Sequence, residues 1–146
     1  MDIGLQFDVI YKAEDLIQVR VSAWNGSFGG TVDIYAGFDC LEEIAAELQG
    51  FPASVSDSRE IKLGALGPKS AGGVEMRFYC TDASGHAYVG CKMDSGILSG
   101  KSAQSVNLSL PIEAAAVDSF VGELRTVGVR RMGIARLEGV PAAVRS

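Results

Sequence analysis

Asn25-Gly26 is the dipeptide preferred in two-residue type I′ turns, where both central positions need a positive φ. It stands between two stretches of alternating apolar and polar residues, so residues 16–35 read as an antiparallel hairpin. With Asn25-Gly26 at its centre, Trp24 faces Ser27. Counting outward pairs Ala23 with Phe28, Val21 with Gly30, Val19 with Val32 and Ile17 with Ile34. Every member of that face is apolar or Gly. The other face takes Leu16, Gln18, Arg20, Ser22 and Trp24 from one strand, and Ser27, Gly29, Thr31, Asp33 and Tyr35 from the other. It is mostly polar and is expected to face solvent.

Upstream, Leu5, Phe7, Val9 and Tyr11 alternate with more polar residues. A short turn at residues 13–15 lets all four join the apolar face, making a three-stranded meander. A second hairpin is expected around Ser84-Gly85, pairing Phe78 with Cys91 and Cys80 with Val89. That register gathers Val74, Met76, Phe78, Cys80, Val89, Cys91 and Met93 on one face, and a slip of one residue scatters them. Ile61, Leu63 and Ala65 mark a flanking strand over 60–66, and Val106, Leu108 and Leu110 mark another over 104–110.

Two helices complete the pattern. Asp39 followed by Glu42 reads as a capping box, and Leu41, Ile44, Ala45 and Leu48 form one apolar stripe before Gly50 and Pro52 end the helix. The second is expected to begin at Pro111, a favoured first helical position, to bury Ile112, Ala116, Val117, Phe120, Leu124 and Val127, and to stop at Gly128. The fold expected is α+β: an antiparallel sheet of about six to seven strands with two amphipathic helices. It forms a single domain over residues 1–128. Residues 129–146, with Arg130, Arg131, Arg136 and Arg145, form a basic extension that either adds a strand near 131–137 or is partly disordered.

A formal charge of -5 argues against a general affinity for nucleic acid or anionic membrane, both of which require a basic surface. The charge is uneven, -8 over residues 1–57 and +3 over the rest. An acidic half suits either a solvated surface or a basic partner. The first residues, MDIGLQFDVI, lack the basic and apolar regions of a secretory signal, and no stretch reaches the ~18 apolar residues of a membrane span. Cys40, Cys80 and Cys91 are odd in number and lie in apolar patterns, so buried thiols in the reducing cytoplasm are expected.

A chain with one histidine, His86, has no two-histidine metal site or histidine cluster. The segment Gly64-Ala65-Leu66-Gly67-Pro68-Lys69-Ser70 fails as a phosphate loop: its glycine spacing is wrong and Pro68 removes a backbone donor. Asp39, Glu42, Glu43 and Glu47 lie on an amphipathic helix where they are expected to be solvated, and acid–base catalysis needs burial or a perturbing partner, so they suit a docking patch better. No catalytic, metal-binding or cofactor-binding residue is assigned. On the polar hairpin face, Arg20, Trp24 and Tyr35 are residue types enriched at interface hot spots. Either the second helix or the C-terminal segment covers them, or a partner does, with a homo-oligomer as one form of partner.

In order, the chain has a meander, a helix over Leu41–Leu48 ending in Gly-Phe-Pro, the turn Asp82-Ala83-Ser84-Gly85-His86, and the Leu110–Leu124 region. Over about residues 5–127 this resembles small bacterial domains grouped around the WapI-type immunity proteins of polymorphic toxin systems. The resemblance implies a non-enzymatic protein-binding domain that neutralises a toxin, with a basic nuclease-like protein as the partner that acidity favours. Arg20, Trp24, Tyr35, Glu43 and Glu47 are the candidate partner surface. The alternative is a small-molecule-binding protein or enzyme with its pocket between sheet and helices.

Overall fold

The computed structural model describes residues 1–67, 69–84, 86–97 and 103–141. It is an α+β fold with eight strands in two antiparallel four-stranded sheets and two helices. Sheet A contains β1 (Gly4–Lys12), β2 (Leu16–Trp24), β3 (Gly29–Gly37) and β8 (Gly133–Glu138), in the order β3-β2-β1-β8. Sheet B contains β4 (Ser58–Gly64), β5 (Gly73–Cys80), β6 (Ala87–Asp94) and β7 (Ser105–Ile112), in sequential order. Helices α1 (Cys40–Leu48) and α2 (Ala114–Arg130) pack on each other, and α2 lies on the inner face of sheet A, where Phe120 meets Phe7 edge to face. One apolar cluster joins both sheets and both helices.

Both expected hairpins form, and each has its register displaced by two residues. In the first, Val19 pairs with Ile34, Val21 with Val32 and Ala23 with Gly30. The central turn residues are therefore Gly26 and Ser27, and the positive φ of 99° falls on Gly26 alone. Asn25 acts through its side chain instead: Oδ1 accepts from the backbone N–H of Ser27 and Phe28, and Nδ2 donates to the Ser109 carbonyl in β7. These bonds favour the later turn. In the second hairpin Phe78 pairs with Val89 and Cys80 with Ala87, and Thr81 N–H donates to the His86 carbonyl. The loop is centred on Ala83 and Ser84, one residue before the expected position, with the Ser84 N–H bonded to Asp82 Oδ1. Gly85 lies outside the described residues. An even displacement preserves side-chain faces. Ile17, Val19, Val21, Ala23, Val74, Met76, Phe78, Val89, Cys91 and Met93 are accordingly all buried.

Phe28, expected on the apolar face, sits in the loop and is exposed. Tyr11 departs for another reason. A bulge at Ile10 interrupts the β1–β2 ladder, so Val9 pairs with Val19 but Tyr11 pairs with Gln18 and turns to the outer face. Ala65 lies beyond the end of β4 and is exposed.

The apolar stripe of α1 is as expected, with Leu41, Ile44, Ala45 and Leu48 buried. Its capping box does not form: Asp39 occupies the N-cap but makes no side-chain bond there. Pro111 does not start α2. It belongs to edge strand β7, opposite Tyr88, where a missing N–H is tolerated; Ile112 completes the strand and Glu113 is the N-cap. Nor does Gly128 end α2, which continues to Arg130 and closes on Arg131 in the left-handed region, φ 55°. Gly128 permits close helix approach: a Cβ there would lie 2.8 Å from Glu42 Cγ and 3.5 Å from Leu41 Cβ. Residues Gly133–Glu138 pair with β1, with Ala135 and Leu137 in the core; Arg145 lies outside the described residues.

Candidate functional site

The inner faces of the sheets are filled by apolar side chains, so the outer faces carry the accessible chemistry. Cross-strand register places Asp8, Arg20 and Asp33 in one row on the outer face of sheet A, with Ile134 at its β8 end. The next row is Tyr11, Gln18 and Tyr35. Tyr11 and Tyr35 flank Gln18 and are 53% and 59% exposed. Ile134 is also exposed.

The candidate partner residues divide. Arg20 lies beside the tyrosines, but it is committed to Asp33: Nε donates to Oδ1 at 2.8 Å and one terminal nitrogen to Oδ2 at 3.1 Å. That bond, and secondly the charge of Asp33, raise the guanidinium pKa still further. Trp24 lies six residues along β2 from Gln18, roughly 20 Å away. It is half-buried over Gly29, where a Cβ would come within 2.8 Å of its ring. Glu43 and Glu47 are exposed on α1, one turn apart, outside sheet A. The tyrosine face is not covered by α2, which lies on the inner side, or by β8, which extends the sheet beside it.

Two further contributors were not legible as a site. The αL turn after α2 brings Val129 and Met132, both exposed, to the start of β8, whose Gly133 pairs with Val9. Arg131 lays its guanidinium over the Phe38 ring, 3.9 Å from the centroid, and its buried Nε has no hydrogen-bond partner. Tyr11 and Tyr35 on the outer face, and the exposed Ile10, Val129, Met132 and Ile134, therefore lie toward the same end of sheet A, where β1 ends and β8 begins. Exposed acids Glu14, Asp15 and Asp39 lie in the connections at that end. The available signal was Val9-Ile10-Tyr11, three apolar residues in succession that break the alternation of β1.

The remaining reactive groups are arranged differently. His86 Nδ1 lies 2.7 Å from Asp82 Oδ2, and this bond holds the Asp82 carboxyl below the usual carboxylate range. Among the described residues the hydroxyl bonded to His86 is that of Thr81, and it reaches the backbone carbonyl rather than the ring. Among the described residues no nucleophile is held by the imidazole. All three cysteines are free: burial pushes the Cys91 thiol up to about 12 and is the main cause of Cys40's rise to about 11. Such thiols are poor nucleophiles near neutral pH. Among the described residues no group of three or more His, Cys, Asp or Glu is placed to hold a metal, and no helix is long and apolar enough to cross a membrane. No protein-family model matches the chain, and no curated protein or solved structure matches it.

Proposed function

We propose that this chain is a non-enzymatic protein-binding domain that docks its partner on the open end of sheet A. The observation that carries this reading is the pair Tyr11 and Tyr35, exposed on either side of Gln18 on a sheet face that none of the described elements covers. Tyrosine supplies a large, rigid contact area, and an exposed apolar patch with a polar rim is what a partner surface buries. The Arg20–Asp33 pair sets its orientation, while the acids at its edge favour a basic partner and speed its approach. A toxin-neutralising immunity protein is the specific form of this function that the acidity and the resemblance favour. Its target would be a basic nuclease-like protein of a bacterial cytoplasm.

A partner recovered from native lysate by the wild-type chain should be lost by the Tyr11→Ala/Tyr35→Ala variant, with affinity falling by about 2–4 kcal/mol if both are hot spots. Charge reversal at Glu43 and Glu47 should mainly slow association. Recovery of the same partner at undiminished affinity by the double variant would rule the surface out.

A further inference from the structure

A sheet edge presents a row of unpaired N–H and C=O groups, and folded chains ordinarily blunt such edges. Three edges of this molecule are blunted or carry nothing that rewards pairing. On β8, Glu123 takes the Arg136 N–H. On β7, Asn25 takes the Ser109 carbonyl, the Val140 N–H donates to the Pro111 carbonyl, and Pro111 has no N–H of its own. On β3 the outer row holds a single charge, Asp33, which Arg20 already engages. The edge formed by β4 is different. Neither proline nor bulge interrupts it, and Ser58, Glu60, Lys62 and Gly64 are exposed along its length.

Hydrogen bonding alternates along an antiparallel ladder. The Thr81 N–H donates to the His86 carbonyl, so Tyr79, Arg77 and Glu75 turn their backbone groups to β6, while Phe78, Met76 and Val74 turn theirs to β4. Arg59, Ile61 and Leu63 meet that second set, which points the N–H and C=O groups of Glu60 and Lys62 out of the sheet. Among the described residues these outward groups have no partner. The side chains of the same residues continue two charged rows. Lys62 stands opposite Glu75, with Nζ 3.9 Å from Oε1, and Glu75 stands opposite Lys92. Glu60 stands opposite Arg77. One row therefore stops at the edge on a cation, and the other on an anion two residues away. Charges on an edge ordinarily keep a second strand off. An anion and a cation at this spacing instead match their own antiparallel copy.

We propose that β4 pairs antiparallel with β4 of a second copy of this chain, about a two-fold axis at Ile61, so that two copies of sheet B become one continuous sheet. Glu60 of each copy then stands opposite Lys62 of the other, and the signs alternate without a break across the axis: Lys92, Glu75 and Lys62 of one copy, then Glu60 and Arg77 of the next. The outward backbone groups of Glu60 and Lys62 meet as a hydrogen-bonded pair on both sides of the axis. A two-fold contact of this kind uses the same edge on both copies and closes at the dimer. It is separate from the docking face on sheet A, and its test is independent of that reading. Sedimentation of the whole chain from micromolar to millimolar concentration should show monomer giving way to dimer, less readily at high salt. Glu60→Lys and Lys62→Glu should each weaken the dimer at least tenfold, since each sets like charges opposite one another on both sides of the axis. Mixed in equal amounts, the two variants should pair as the wild type does, because every charge then meets its opposite. Slowed amide hydrogen exchange at Glu60 and Lys62 of the concentrated wild type provides the measurement should either variant fail to fold. The inference is overturned if the wild type stays monomeric at millimolar concentration, or if each variant alone dimerises as the wild type does. It is overturned equally if the dimer is lost on Tyr11→Ala/Tyr35→Ala, which would put the second copy on sheet A.

Discussion

Asn25 shows how one side chain can be legible in kind and not in detail. Its preference for a turn is local and can be read from the dipeptide. Its bond to the Ser109 carbonyl spans 84 positions and depends on how two sheets meet. Once Oδ1 takes the N–H groups of Ser27 and Phe28, the turn is satisfied one residue later than the dipeptide suggests. Replacing Asn25 by Ala should cost about 1–2 kcal/mol, the net worth of two or three modest hydrogen bonds. Asn25→Asp, which keeps the acceptor but turns a carboxylate oxygen toward the Ser109 carbonyl in place of the donor, should cost less if the acceptor bonds to Ser27 and Phe28 dominate. Urea unfolding of the two variants is the measurement, and an Asn25→Ala variant as stable as the wild type would show that these bonds are idle. Tyr11 carries the same lesson for the site: its face depends on one extra residue in β1, which strict alternation does not anticipate.

At the scale of elements, strands and helices were legible where periodicity decides them and ambiguous where a residue has two acceptable homes. Pro111 suits either the first turn of a helix or an edge strand, and pairing with β6 selects the strand. The connection from α1 to β4 rests on Arg59, which no periodicity reveals. Its guanidinium donates to Asp57 and to the Glu47 and Gln49 carbonyls at the end of α1, and it lies near the Phe51 ring. The bond from Arg59, followed by that from the Ala53 N–H, holds the Asp57 carboxyl below the usual carboxylate range. A carboxyl with a lowered folded pKa contributes stability that is present above its unfolded value, about 4 for Asp. That contribution is lost as pH falls through the lower, folded value. Asp57→Asn should therefore destabilise the chain at neutral pH and flatten its acid-unfolding limb. Urea midpoints measured from pH 7 down to about 2 provide the check: a variant that tracks the wild type at a constant offset would contradict the linkage.

For the whole molecule, β8 binds the last described elements into the same core as the first. It continues sheet A beyond β1, its Ala135 and Leu137 are fully buried, and its Arg136 N–H is taken by Glu123 of α2. A chain ending at residue 128 would leave one flank of β1 unpaired and a cavity beneath α2. Such a truncation should lose more than about 4 kcal/mol, since several large-to-small core changes each cost 2–5 kcal/mol. Far-UV circular dichroism with urea unfolding is the measurement, and a truncated chain of near-native stability would show that β8 is an accessory. The strand was hard to foresee because residues 133–138 are short and mixed in polarity, and their partner lies at the opposite end of the sequence. The hairpins were easier, and because each was displaced by an even number of residues the side chains within the strands kept their faces, while Phe28 moved into the turn. That has a consequence for how such a chain can change. Insertions or deletions of two residues at the tips of the β2–β3 or β5–β6 connections would carry every side chain to the same side as before, so length variation there should be tolerated in pairs and punished in odd steps.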